Sequence, residues 1–233
     1  VSVSPDSGFR AFVFDNFDTD GNGILSQAEC DAVTSIVVST DNISSIQGIE
    51  CFKNLVTLSC TGSRDPSLGT GDSWVWEASG LLTSLDVSHN TALTHINCNN
   101  NRITSLDLSH NTALTHLSCD GNGDHLRSID VSLCTGLTSL SCYQNNLESL
   151  DLSSNSALTY VRCDPIDLDM SNHTALTEFC YGSSSAHVSS ASLNLSGCIA
   201  LTTLDLYHVN SVDLSGCTSL AELYLSSSSI SNL

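Results

Sequence analysis

Leu93, Ile96, Cys98, Asn101 and Ile103 recur with the same spacing as Leu137, Leu140, Cys142, Asn145 and Leu147. Aligned on the Leu-x-x-Leu-x-Cys element, units start at Val33, Leu55, Leu93, Leu114, Leu137, Leu158, Leu176, Leu201 and Leu220, spaced by 22, 38, 21, 23, 21, 18, 25 and 19 residues. A period near 21 interrupted by one long insertion, at 61–80, constrains the fold more than any other feature of this chain. A unit this short cannot bury its own apolar face, so the units must stack into a solenoid whose core is continuous from one to the next.

Within each unit the alternation is that of a strand, where successive side chains point to opposite faces. His95 and Cys98, three apart like His116 and Cys119, therefore lie on opposite sides of the sheet and cannot share a metal ion. The inward column reads Val38, Cys60, Cys98, Cys119, Cys142, Cys163, Tyr181, Leu206 and Leu225. Free cysteine behaves as a small buried hydrophobe, so a stacked thiol ladder suits it. Neighbouring strands sit about 4.8 Å apart, but parallel Cβ vectors are farther apart than the roughly 3.8 Å a disulfide prefers, and reduced thiols are expected. Cys198 and Cys217, at matching positions of consecutive units, are the first choice for any bridged pair; Cys30, Cys51 and Cys134 have no evident partner. Cys180 alone takes an outward strand position, and Glu178 beside it disfavours a thiolate.

A second element precedes each new unit, as in "SLDLSHNTAL" at 105–114. Its apolar pair predicts a short half-buried strand, and the serine after it (Ser88, Ser109, Ser132, Ser153, Ser171, Ser196, Ser215) is expected to cap the next turn by accepting an amide hydrogen bond. Asp86, Asp107, Asp130, Asp151, Asp169 and Asp213, with Asn194 on one rung, form an acidic column expected to bond amides in those turns.

These repeats closely resemble the leucine-rich repeat family over about residues 33–233, and among its members the internalin-like surface proteins of bacteria. The resemblance implies a horseshoe of about nine repeats, with a parallel concave sheet, short turns or strands on the convex side, and partners bound on the concave face.

Residues 1–32 read differently. Phe9, Phe12, Val13 and Phe17 share one helical face, and "DTDGNGILSQAE" follows at 18–29. Asp18, Asp20, Asn22, Ser26 and Glu29 fill the oxygen-donor positions 1, 3, 5, 9 and 12 of a calcium loop, Gly23 sits at position 6, and Ile24 offers its carbonyl. This resembles an EF-hand, which implies bound Ca2+. No second loop accompanies it, so the expected role is a structural calcium site in a helix-loop-helix cap over the first repeat.

By strand parity, residues two, four and six after each unit start face the concave solvent. They include His95, Asn97, His116, Asp120, Tyr143, Tyr160, Arg162, Tyr207 and Tyr224, a polar surface with tyrosines suited to protein or carbohydrate ligands. His95 and His116 should stack on neighbouring rungs, with Asp120 the nearest third donor if they were to hold a metal. Trp74 and Trp76, in the long insertion, suit either a partner-gripping flap or a plug folded over the solenoid.

Six basic against 25 acidic side chains give a formal charge of -19, which disfavours nucleic acid and bare anionic membrane as partners. No apolar run spans a bilayer, and the start, Val1-Ser2-Val3-Ser4, reads as a mature or trimmed chain from which a signal or anchor has been removed. No nucleophile, base and orienter set, phosphate loop or carboxylate pair stands out. The expectation is a noncatalytic secreted or cell-surface binding module; the alternative is the recognition domain of a larger enzyme whose catalytic part lies outside this chain.

Overall fold

A computed structural model describes residues 5–63, 79–182, 191–207 and 209–226. Trp74 and Trp76 lie outside them. The chain opens with helix α1 (Ser7–Phe17), started by Asp6, whose carboxylate accepts from the amides of Gly8 and Phe9 at 2.9 and 3.0 Å. Phe9 and Val13, one turn apart, are buried. Helix α2 (Gln27–Ala32) starts from a reciprocal cap: the Ser26 hydroxyl accepts from the Glu29 amide, and the Glu29 carboxylate accepts from the Ser26 amide. Both helices touch the first repeat. Phe17 meets Phe52 edge-on at 5.5 Å, and the Asp6 carboxylate also accepts from the amide and hydroxyl of Ser44 at 2.9 Å.

From there the chain is a parallel β-solenoid. Its strands are β1 (Ser35–Ser39), β2 (Thr57–Thr61), β3 (His95–Asn97), β4 (His116–Ser118), β5 (Ser139–Ser141) and β6 (Tyr160–Cys163), followed by β7 (Leu168–Asp169), β8 (Glu178–Tyr181), β9 (Ser192–Asn194), β10 (Thr203–Tyr207), β11 (Ser211–Asp213) and β12 (Glu222–Ser226). Nine of them form one all-parallel sheet in the order β1-β2-β3-β4-β5-β6-β8-β10-β12. Its register pairs Ser35, Thr57, His95, His116, Ser139, Tyr160, Glu178, Thr203 and Glu222 in one row. Each lies two residues after a unit start, so every rung of the sheet falls where the repeat alignment puts it. Among the described residues the expected convex strands form only toward the end of the chain, where β7, β9 and β11 make a second parallel sheet; earlier turns carry the bridge Leu85–Leu106.

The core follows the predicted parity. Val38, Cys60, Cys98, Cys119, Cys142, Cys163, Tyr181 and Leu206 are buried in one column, while Leu225 on the edge strand β12 stays partly exposed. No cysteine is bridged in this structure. Burial pushes the ladder thiols above their usual range, Cys98 to about 12, which keeps them protonated and inert.

The second column of hydrogen bonds corrects two expectations. In the convex turns the serine amide donates rather than the serine oxygen accepting: Ser88, Ser109, Ser132, Ser153, Ser171, Ser196 and Ser215 each donate N–H to the side-chain oxygen two residues back, at 2.8–3.0 Å. The acceptors are the acidic column and Asn194, so the aspartates are the turn formers. Cys198 and Cys217, in turn, are not partners of each other. They occupy a column three residues before each unit start, with Asn90, Asn111, Cys134, Asn155 and His173, that donates to backbone carbonyls of the preceding turn. Asn111 reaches Val87 and Asn90, Asn155 reaches Val131 and Cys134, and the Cys134, Cys198 and Cys217 thiols point at Asn111, Met170 and Leu195 carbonyls. The side-chain oxygens of Asn90, Asn111 and Asn155 have no partner among the described residues. The column needs donors only, which is why a thiol, with one weak donor, can replace an amide there.

Candidate calcium loop and open sheet face

The loop 18–29 is shaped by its own side chains. Gly21 and Gly23 adopt left-handed conformations, φ 67° and 78°, that curl the backbone and that other residues rarely adopt. The Asp18 carboxylate accepts from the amides of Asn22 (3.2 Å) and Gly23 (2.8 Å), Asp20 accepts from the Asn22 amide (3.1 Å), and the Asn22 side-chain oxygen accepts from the Ile24 amide (2.7 Å). Leu25 is buried and pins the loop to the core. Glu29 returns from α2, its carboxylate taking hydrogen bonds from the backbone and hydroxyl of both Ser26 and Thr19, which together hold its pKa down to about 2.

Oxygens of Asp18, Asp20 and Glu29 lie within 4.8 Å of one another. Among the described residues the ion pairs are Arg127–Glu148 and Arg162–Asp120, so no cationic side chain neutralises the loop. Three converging carboxylates without a positive partner repel one another. That is the donor chemistry a hard dication requires.

The outward face of the large sheet splits into two parts. Residues two and four after each start do face solvent or lie half-buried, among them His95, Asn97, His116, Tyr160 and Arg162. The His95 and His116 rings stack at 4.2 Å and 10°, and their Nδ1 atoms sit 2.7 and 2.9 Å from the hydroxyls of Thr94 and Thr115. Burial, and then the neighbouring His95, lower the His116 pKa.

Residues six after each start divide by where their strand ends: Ser39 and Tyr207, still inside β1 and β10, are exposed, whereas β4 and β5 have already ended and the chain has begun to turn inward at Asp120 and Tyr143. Tyr143 is 9% exposed and Asp120 5%, so neither belongs to the ligand-facing surface assigned to it from parity. Asp120 instead accepts from the Ser141 hydroxyl and the Tyr143 amide, at 2.7–2.9 Å. It also pairs with Arg162 at 3.7 Å. The Arg162 guanidinium lies 4.1 Å over the Tyr143 ring. Asp120 is therefore committed to the turn and to Arg162, rather than to the histidine pair. Tyr207 and Tyr224, on β10 and β12, are exposed, and the Tyr224 hydroxyl donates to Glu222 at 3.3 Å.

Beside this network, Asp164 accepts from the Asn145 amide at 2.8 Å, yet burial pushes its carboxyl up to about 6, with the charge of Asp120 adding to the rise. A carboxyl whose folded pKa is raised contributes stability below the unfolded pKa, near 4, and loses it as pH climbs through 6. Asp164→Asn is therefore expected to stabilise the chain by about 1–2 kcal/mol at pH 8, with the gain shrinking toward pH 4, since each tenfold change in proton affinity is worth about 1.4 kcal/mol. Urea melts of both proteins at pH 4.5 and pH 8 measure this; a gain equal at both pH values would contradict it.

No protein-family model matches the chain, and no curated protein matches it. Solved structures do. Internalin C2 of Listeria monocytogenes superposes with a TM-score of 0.66 at 14% identity, over 99% of this chain and 88% of that one. A leucine-rich repeat protein of Leptospira interrogans gives a TM-score of 0.57 at 18% identity, covering 78% of this chain and 46% of the other. The functional domain of InlJ from Listeria monocytogenes, which includes a cysteine ladder, is 25% identical over 98% of this chain and 61% of that one, with a TM-score of 0.42. On the first two likenesses and the strand register, this chain is a parallel β-solenoid with the leucine-rich repeat fold of the internalins.

Proposed function

We propose that the chain is a noncatalytic binding module, secreted or displayed at the cell surface, that grips a partner protein with the open face of its large sheet and holds Ca2+ in the 18–29 loop. The observation that carries the reading is the run of half-buried and exposed polar and aromatic side chains along the sheet, rung after rung in register. Its far end, over β6, β8, β10 and β12, joins Tyr160, Tyr207 and Tyr224 to Glu178, Asp205 and Glu222. Tyrosines supply contact area at small entropic cost, and aligned carboxylates select a surface bearing lysine or arginine. The resemblance to internalin repeats supports a surface or secreted location, and the acidity of the chain and the oxygen-donor pattern of the 18–29 loop agree with it. Among the described residues no helix is long and apolar enough to cross a membrane.

The test is a protein and glycan array probed with the wild-type chain and with a Tyr160→Ala, Tyr207→Ala, Tyr224→Ala variant. The expected result is a basic protein ligand whose affinity falls at least about tenfold in the variant, with unchanged melting, and falls again with added salt. A ligand bound equally by both proteins would move the binding surface elsewhere, and a neutral glycan ligand would replace the protein partner.

A further inference from the structure

We propose that Cys30 and Cys51 form a disulfide that staples the N-terminal helices to the first turn of the solenoid. Cys30 lies on α2 and Cys51 ends the short 3-10 turn Ile49–Cys51, and their sulfurs approach to 2.9 Å. A bond needs about 2.05 Å, so the pair has only about 0.9 Å left to close. Their elements are already held together by other contacts: Gln27 Nε2 donates to the Cys51 carbonyl at 3.3 Å, Asn54 Nδ2 donates to the Asp31 carbonyl at 2.8 Å, and Phe17 packs on Phe52. Among the described residues the ladder cysteines make no such sulfur–sulfur hydrogen bond. Their side chains run parallel from adjacent rungs, whereas Cys30 and Cys51 approach from two different elements.

The oxidant is a disulfide, either an oxidised small thiol or a thiol oxidoreductase. One thiolate of the pair attacks it, forming a mixed disulfide and releasing one thiol. The second cysteine then attacks its partner's sulfur, forming the Cys30–Cys51 bond and releasing the second thiol. Two electrons and two protons pass from the pair to the oxidant, whose two sulfurs leave as thiols. Cys30 is 0% and Cys51 7% exposed, so exchange takes place before the helices dock. Docking then shields the bond from reductant. The bridge closes a loop between residues 21 apart in sequence, which restricts the unfolded chain.

The test is refolding in a buffer of oxidised and reduced glutathione with calcium chelated, then alkylation under denaturing conditions and peptide mass spectrometry. The expected result is a single Cys30–Cys51 cross-linked peptide with the other nine of the eleven cysteines alkylated. The oxidised chain should melt roughly 5–10 °C above the reduced one, a difference absent from a Cys30→Ala, Cys51→Ala variant. Eleven alkylated cysteines, or a bridge between any other pair, would overturn the proposal on the wild-type chain alone, whether or not the variant folds.

Discussion

Asn101→Ala is expected to lower stability by about 3 kcal/mol, because one buried amide holds five backbone and side-chain groups in place. Its Nδ2 donates to the carbonyls of Cys60, Cys98 and Asn99 at 2.8–3.1 Å, and its Oδ1 accepts from the Thr40 hydroxyl (2.6 Å) and the Leu82 amide (3.3 Å). Asn122 and Asn145 repeat the arrangement one and two rungs on, each joining the carbonyl of its own cysteine to that of the preceding unit. Strands only three residues long need this, since the chain turns out of the sheet at the cysteine and leaves its carbonyl without a strand partner. Alanine would strand those groups away from water at about 1–3 kcal/mol for an orphaned buried group. For a domain of this size, 3 kcal/mol corresponds to roughly 6–12 °C in melting temperature. Asn146→Ala, one residue past the ladder and exposed, should change it by less than about 0.5 kcal/mol. Thermal and urea melts of the two variants measure the contrast; equal, small losses would remove the ladder from the account of stability.

The repeat was legible because burial in a strand has period two and the units are nearly copies. Every rung from Ser35 to Glu222 pairs as the alignment of unit starts requires. What the sequence hid is where each strand stops. Parity carried forward two residues too far put Tyr143 and Asp120 in solvent, although the asparagine at 145 that takes the Cys142 carbonyl was already in view. The donor column of Asn90, Asn111, Cys134, Asn155, His173, Cys198 and Cys217 was hidden for a different reason. Its members share no side-chain class, only the ability to donate toward the preceding turn, and a pattern search by residue type does not group them. Cys30 and Cys51 are farther still from sequence reasoning, since their contact depends on how the helices sit on the first repeat. The loop at 18–29 lies at the other extreme. Its donors all fall within twelve consecutive residues, and Asp18, Asp20 and Glu29 converge with little help from the rest of the fold.

Calcium is therefore expected to act on the cap as a stability increment that the loop carboxylates alone control. With an affinity on the order of 10⁻⁴ to 10⁻³ M, the range of extracellular loops, about 10 mM calcium stabilises the bound chain by about 1.4–2.7 kcal/mol, or roughly 3–10 °C in melting temperature. The carboxylates of Asp18 and Asp20 also accept loop amides, so Asp18→Ala should lower the melting temperature somewhat even in chelator. The quantity that isolates the ion is the difference between calcium and chelator, which should vanish in Asp18→Ala and in Asp20→Ala. Glu29→Gln should also lose it while keeping α2, because a glutamine side-chain oxygen can still accept from the Ser26 amide. Magnesium at the same concentration should do less, since its octahedral preference dehydrates poorly onto a loop of this kind. A wild-type chain that melts at one temperature in calcium and in chelator would refute the site. A shift retained in Asp18→Ala would move the ion away from this loop. The increment should also propagate beyond the helices: in a solenoid each unit is stabilised by its neighbours, and Phe9, Val13 and Leu25, together with Phe17 against Phe52, cover the first rung. Hydrogen exchange of β1 and β2 should therefore slow with calcium, while that of β10 and β12 at the far end should stay unchanged.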